Sequence, residues 1–140
     1  MLFRSARTDQ SYTDKPRTDE RHTDGPRADD ENARRYDKER QFAQTSFGRI
    51  AYIDRGTGPA ALFLHGFPLN SFQWRGAIDR LSAYRRCLAP DSMGLGHTEV
   101  AAGQSVTPSA QADMLAAFLD KLSVHDVDLI GNDKIGRAHV

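Results

Sequence analysis

The residues that could do chemistry lie in three short loops of this 140-residue sequence. They are His65–Pro68 (HGFP), Asp91–Thr98 (DSMGLGHT) and Gly131–Asp133 (GND). Imidazole and carboxylate side chains can act as acids, bases or nucleophiles, and each loop offers at least one of them. Each loop also contains glycine, which lets the backbone turn sharply. We therefore expect a functional site to be built from these loops.

Each of the three loops follows a segment with the pattern of a strand. Ala60–Leu64 is a continuous apolar run, Arg86–Ala89 is a weaker strand candidate, and Val124–Ile130 is the last such segment. Helical patterns lie between them, and this alternation predicts right-handed crossovers and a mostly parallel sheet. Ligands bind at the carboxyl ends of strands in such sheets, which is where the three loops would lie.

The remaining elements are predicted from local start signals. Thr45–Asp54 has the pattern of a hairpin of two strands. Asn70 with Gln73 three residues later resembles a capping box that opens the first helix. Thr107 as N-cap with Pro108 in the first helical position opens the second helix.

The three loops and their order resemble those of the α/β-hydrolase fold family. The matching motifs are Leu64–Pro68 with Trp74-Arg75 downstream, Pro90–Thr98, and Leu129–Asp133. The resemblance covers about residues 45–133. It implies an α/β fold class, namely the N-terminal part of an α/β-hydrolase sheet, with an antiparallel hairpin, then parallel strands with crossover helices, and then a truncation.

The resemblance also implies roles for individual residues. In this family the His-Gly loop supplies one backbone N–H of an oxyanion hole, which implies that role for Phe67. His65, Gly66 and Trp74 are expected to contact the substrate. The alternative for His65-Gly66 is a strand-ending turn in which glycine permits an unusual backbone angle. Trp74 also fits a core position at helical spacing from Ile78.

Asp133 stands where the nucleophile elbow of this family places its nucleophile. Members with Asp there include haloalkane dehalogenases, fluoroacetate dehalogenases and epoxide hydrolases. Their carboxylate attacks carbon in an SN2 step, and a His-activated water then hydrolyses the alkyl ester. The resemblance thus implies a hydrolase of small-molecule substrates that needs water but no metal or organic cofactor. The alternative is that Asp133 caps a following helix.

The N-terminal segment has a different composition from the rest. Residues 1–40 carry ten basic and ten acidic side chains, and after Phe3 they contain no Leu, Ile, Val, Phe or Met. Thr-Asp pairs recur there every five residues. Such a segment cannot bury enough apolar surface to offset the entropy of ordering itself. We therefore expect a disordered tail over residues 1–40 and a partial α/β-hydrolase domain over residues 41–133.

The C-terminal residues carry an unusual signature. Written back as codons, Ile135–Val140 resembles a common sequencing adapter, so Lys134–Val140 is expected to be foreign to the gene. The native residue 134 would then not be Trp, which many haloalkane dehalogenases carry after the Asp, but the subclass stays open. In this family a catalytic acid and a catalytic His follow the nucleophile in the chain, and the sequence as written ends before either. The chain as written is therefore expected to be inactive.

Composition excludes several classes of protein. No run of 18 apolar residues could form a transmembrane helix, and no leader-like stretch opens the chain, so we expect a cytoplasmic protein. The single cysteine, Cys87, excludes an internal disulfide framework and a cysteine-built zinc site. A net charge of zero gives no electrostatic case for binding nucleic acid or an anionic membrane. The oligomeric state is not indicated.

Two other hypotheses are open at this point. The protein could share the fold but bind a ligand without catalysis, or the chain could be a fragment without function. Within the second loop, Asp91 is expected to shape the backbone, while His97 could face either substrate or solvent.

Overall fold

A computed structural model describes residues 28–132 of the chain. Three subjects of the sequence analysis lie outside the described residues. They are the part of the expected tail that ends at residue 27, the predicted nucleophile Asp133, and the expected foreign segment Lys134–Val140. The elements in chain order are α1 (Ala28–Glu39), β1 (Gln41–Thr45), β2 (Gly48–Arg55), β3 (Ala60–Leu64), a 3₁₀ turn (Ser71–Trp74), α2 (Arg75–Leu81), β4 (Arg86–Pro90), α3 (Pro108–Lys121) and β5 (Val127–Gly131).

The five strands form one mixed sheet in the order β1-β2-β4-β3-β5. β1 and β2 form an antiparallel hairpin that begins at Gln41, ahead of the predicted Thr45, and β2 also pairs antiparallel with β4. β3 lies parallel between β4 and β5, with Ala60 opposite both Arg86 and Val127. This arrangement confirms the predicted fold class, a hairpin followed by parallel strands with crossover helices.

Two apolar layers cover the two faces of the sheet. Successive residues of a strand point to opposite faces, so Ile50 and Tyr52 of β2 pack in one cluster and Ile53 packs in the other. The first cluster includes Phe118 of α3, and the second includes Ile78 of α2. The sheet is thus a central layer between α3 on one side and α1 with α2 on the other.

Residues 28–39 depart from the predicted tail, because they form the helix α1. Tyr36 is only 2% exposed, and its hydroxyl donates to the Ser71 carbonyl oxygen at 2.8 Å. Arg55 of β2 forms ion pairs with Glu39 of α1 and with Asp79 of α2. One buried aromatic ring and the ion pair between Arg55 and Glu39 therefore dock a helix that lacks the apolar stripe by which helices are recognised.

The predicted helix start at Thr107 is confirmed, whereas Asn70 opens the 3₁₀ turn and α2 itself begins only at Arg75. The Asn70 side chain accepts from the Phe72 N–H at 3.0 Å, and the Thr107 side chain accepts from the Ala110 N–H at 3.4 Å. The Gln73 side chain does not complete a capping box. It points instead to the loop that follows β3.

Candidate functional site

The loops after β3, β4 and β5 meet at one edge of the sheet, as predicted. The Ser92 N–H donates to the His65 Nε2 atom at 2.9 Å, which joins the first loop to the second. The Asn132 N–H donates to the Leu64 carbonyl oxygen at 3.3 Å, which joins the first loop to the third. The first loop, between the other two, is therefore the centre of the cluster.

His65 is buried, and both of its ring nitrogens contact the protein backbone. Nε2 accepts from Ser92, while Nδ1 lies 3.1 Å from the Gly66 carbonyl oxygen. An N–H can only donate and a carbonyl can only accept, so a neutral ring protonated on Nδ1 satisfies both contacts. His65 thus fastens two loops together, and neither ring nitrogen is left to bind the substrate that we expected it to contact.

Gly66 is required by a close approach and not by an unusual backbone angle. Its φ is not positive, in contrast to several other glycines of the chain. A Cβ atom at this position would lie 2.7 Å from the Asn132 carbonyl oxygen, well inside van der Waals contact. The absence of a side chain is therefore what lets the third loop pack against the first.

The backbone of Phe67 forms the outer part of the first loop. The Leu69 N–H donates to the Gly66 carbonyl oxygen at 2.9 Å and closes a turn, within which the Phe67-Pro68 peptide is cis. The Phe67 side chain is 64% exposed. Among residues 28–132, the Phe67 N–H makes no hydrogen bond. This N–H can therefore donate to a group outside the described part of the chain.

Trp74 lies in the apolar layer beneath α2. Its ring centroid is 5.5 Å from that of Phe63, and the two rings are tilted by 54°. Within the described residues, the buried Trp74 Nε1 atom has no hydrogen-bond partner. The structure thus places Trp74 against the core. This is the alternative that its helical spacing offered to the expected contact with substrate.

Asp91 shapes the second loop, as expected. Its carboxylate is fully buried and accepts from the Ser71 and His97 N–H groups, each at 2.8 Å. Gly96, with a φ of +56°, passes so close that a Cβ atom there would lie 2.2 Å from the Asp91 carboxylate. The His97 ring is half exposed, with Nδ1 3.6 Å from the same carboxylate.

Two glutamines fix these loops by contacts that the sequence analysis missed. Gln73 Oε1 accepts from the Gly66 N–H at 3.1 Å. Gln111 of α3 holds Met93 through two bonds, accepting from its N–H at 3.0 Å and donating to its carbonyl oxygen at 2.9 Å. Both contacts join parts of the chain that no local pattern links, so nothing in the neighbouring sequence signals them.

A cavity of about 400 Å³ lies beside the first loop, lined by Pro68, Leu69, Asn70, Phe72, Gln73 and Arg75.

Across residues 28–132, no three His, Cys, Asp or Glu side chains are grouped so that they could hold a metal ion. Over the same range, no helix has the length and apolar character needed to cross a membrane.

Comparison with known proteins identifies the family. Residues 59–133 match the family described as the alpha/beta hydrolase fold. The match spans more than half of the chain, and it includes all three loops. This chain belongs to the alpha/beta hydrolase fold family.

The similar proteins are named for two related activities. The chain is 37% identical over 98 residues to haloalkane dehalogenase 2 of Mycobacterium tuberculosis, covering 70% of this chain and 34% of that protein. It is 39% identical over 82 residues to an epoxide hydrolase of Caballeronia sordidicola, covering 57% of this chain and 25% of that protein.

Solved structures agree with this grouping. An epoxide hydrolase from Vigna radiata superposes with a TM-score of 0.63 at 34% identity, covering 68% of this chain and 32% of that structure. Both activities named among the relatives are those of hydrolases. The chain spans about a quarter to a third of the length of these relatives.

Proposed function

We propose that this chain is part of a hydrolase in which Asp133 is a covalent nucleophile. The observation that carries the proposal is the meeting of the three loops at one edge of the sheet, with Phe67 in the central loop. Asn132, the residue before Asp133, packs against Gly66, and Gly66 is bonded directly to Phe67. The relatives named haloalkane dehalogenase and epoxide hydrolase support the same chemistry.

The reaction has two covalent steps. In the first, an Asp133 carboxylate oxygen attacks a substrate carbon, and the bond from that carbon to halogen or to the epoxide oxygen breaks as the leaving group takes the electron pair. In the second, water adds to the carbonyl carbon of the resulting ester and gives a proton to a base. Collapse of the tetrahedral intermediate releases an alcohol and restores the carboxylate, which retains one oxygen from water.

The Phe67 N–H would act in the second step. Negative charge develops on the ester carbonyl oxygen as water adds, and a fixed N–H directed at that oxygen stabilises it. His65 and Gly66 would then serve by holding this N–H in place, and Trp74 would support the layer beneath.

The proposal includes a small-molecule substrate, either an epoxide or a carbon–halogen compound, with water as the only co-reactant. Relatives of both kinds match the chain, so both substrate classes are tested together. We further propose that the protein works in the cytoplasm, where the lone thiol of the buried Cys87 would stay reduced.

Single-turnover reaction in heavy-oxygen water tests the proposal. The protein that contains this chain, expressed from its whole gene, is mixed in excess with a bromoalkane or with styrene oxide. We expect the peptide that contains Asp133 to gain one heavy oxygen with at least one of the two substrates. Product that forms without label in this peptide would rule out the covalent carboxylate.

Substitution supplies the control. Asp133→Asn should abolish turnover, since a neutral amide is a poor nucleophile at carbon. Asp113→Asn makes the same chemical change on the exposed side of α3 and should leave turnover unchanged. Equal loss in both variants would indicate a general effect of charge, and the assignment of Asp133 would be withdrawn.

A further inference from the structure

We infer that Gln73 is a positioning residue that orients the oxyanion-binding N–H of Phe67 by fixing the glycine in front of it. This inference rests on the function proposed above. Two requirements conflict at Gly66. Its packing requires glycine, and the proposed role of the Phe67 N–H requires a rigid backbone.

Gly66 cannot be exchanged for a stiffer residue. A Cβ atom there would lie 2.7 Å from the Asn132 carbonyl oxygen, so the third loop excludes any side chain. Glycine has the widest conformational freedom of all residues. Rotation about its two backbone bonds would swing the following peptide, which carries the Phe67 N–H. Contacts from other residues must therefore supply the rigidity that glycine lacks.

The peptide that joins Gly66 to Phe67 is held through hydrogen bonds to its carbonyl oxygen. The Gly66 carbonyl oxygen accepts from the Leu69 N–H at 2.9 Å and lies 3.1 Å from His65 Nδ1. In a trans peptide the N–H points away from the carbonyl of the same plane. Two donors on the carbonyl oxygen therefore direct the Phe67 N–H away from the turn.

The peptide before Gly66 is held by Gln73. Its Oε1 atom accepts from the Gly66 N–H at 3.1 Å, and the backbone of Gln73 is itself held by a bond from its N–H to the Asn70 carbonyl oxygen at 3.0 Å. With both adjoining peptide planes held, neither backbone angle of Gly66 can rotate freely. Gln73 is the one side chain outside the loop that contributes to this restraint among residues 28–132.

The two chemical steps depend differently on the Phe67 N–H. During attack by Asp133, negative charge leaves the carboxylate, so a hydrogen bond to that carboxylate is stronger before the step than in its transition state. During ester hydrolysis, negative charge builds up on the carbonyl oxygen, so the same N–H accelerates the step. Loss of Gln73 should therefore slow hydrolysis without slowing alkylation.

The experiment measures the ester directly. The protein expressed from the whole gene is mixed with a bromoalkane and with styrene oxide, quenched in acid at intervals, and analysed by mass spectrometry for the alkylated Asp133 peptide. In Gln73→Leu we expect ester hydrolysis to slow about tenfold, less than the 10²–10³-fold that loss of a whole oxyanion donor costs. The ester should accumulate, because it forms no more slowly than in the unsubstituted protein.

Two further variants separate positioning from general stability. Gln73→Glu keeps an acceptor for the Gly66 N–H and should hydrolyse the ester within about twofold of the unsubstituted protein, and it also serves if Gln73→Leu does not fold. Gln41→Leu removes a glutamine of β1, outside the three loops, that accepts from the Tyr52 hydroxyl at 3.2 Å. It should lower thermal stability without accumulation of ester.

The outcomes distinguish the two proposals. Ester that forms in the unsubstituted protein but accumulates no further in Gln73→Leu than in Gln41→Leu overturns the role of Gln73 alone. A failure of Gln73→Glu to restore hydrolysis also overturns it. No ester at Asp133 in any protein, despite turnover, overturns the proposed function and this inference with it.

Discussion

Gly66 carries a hydrogen atom where every other residue type carries a Cβ atom. From the sequence, this glycine is expected to contact the substrate or, alternatively, to permit a strand-ending turn, but the structure shows that the neighbouring Asn132 carbonyl oxygen excludes a side chain. Residue type alone could not reveal this reason, because the two loops are far apart in the chain. The consequence can be tested by adding one methyl group.

Gly66→Ala should destabilise the protein by about 1–3 kcal/mol, the usual cost of forcing extra atoms into a packed site. Its control is Gly76→Ala, since a Cβ atom at Gly76 would meet nothing within 4 Å of it. Gly76 lies within α2, where alanine is favoured over glycine by about 0.5–1 kcal/mol. Urea unfolding measures both. Equal effects of the two substitutions would contradict the contact between Gly66 and Asn132.

At the scale of elements, local patterns predict the parallel strands well. Ala60–Leu64 is observed with the predicted bounds, because a run of apolar residues leaves few alternatives to a strand covered on both faces. The last strand begins at Val127 and not at Val124, although Val124 is buried. Its burial comes from packing against the α3 side, and packing alone does not extend the hydrogen-bonded ladder.

The helix α1 shows where local patterns fail. Its twelve residues carry little apolar surface, and only Tyr36 is buried. The partners that order it, Ser71 and Arg55, lie in other elements. The capping role predicted for Gln73 failed for a similar reason, since its partner belongs to the loop after β3. Contacts of this kind become visible only when the sheet has assembled.

Paired truncations test the importance of α1. Removal of residues 1–39 should lower the free energy of unfolding by at least about 3 kcal/mol relative to removal of residues 1–27 alone, since a large buried aromatic side chain is lost. The comparison isolates α1, because residues 1–27 are absent from both proteins. Equal stability of the two proteins by urea unfolding would show that α1 does not stabilise the sheet.

In the alkaline range, the free energy of unfolding of the whole molecule should depend on pH through the ionisation of Tyr36. Burial raises the pKa of Tyr36 from its ordinary value of 10.0 to about 12. The unfolded chain therefore loses this proton at a lower pH than the folded chain does. The stabilising contribution is complete below pH 10 and is lost as the pH rises from 10 to 12.

Tyr36→Phe should remove this part of the pH dependence. Its hydroxyl bond to Ser71 is also lost, so at neutral pH we expect a cost of about 1 kcal/mol. Tyr84→Phe is the control, since the Tyr84 side chain is 76% exposed. Free energies of unfolding at several pH values between 9 and 12 check both. A slope unchanged by Tyr36→Phe would contradict the assignment.

The position of β3 in the sheet bears on how the protein is made. β3 lies between β4 and β5, and both of these neighbours come later in the chain. On a ribosome that adds about 5–20 residues per second, Val127 is added about 3–13 s after Ala60, its partner in the sheet. One edge of the apolar strand Ala60–Leu64 thus has no strand to pair with during that interval. The order of strands along the chain therefore leaves this edge open to wrong pairing until the C-terminal strand has been made.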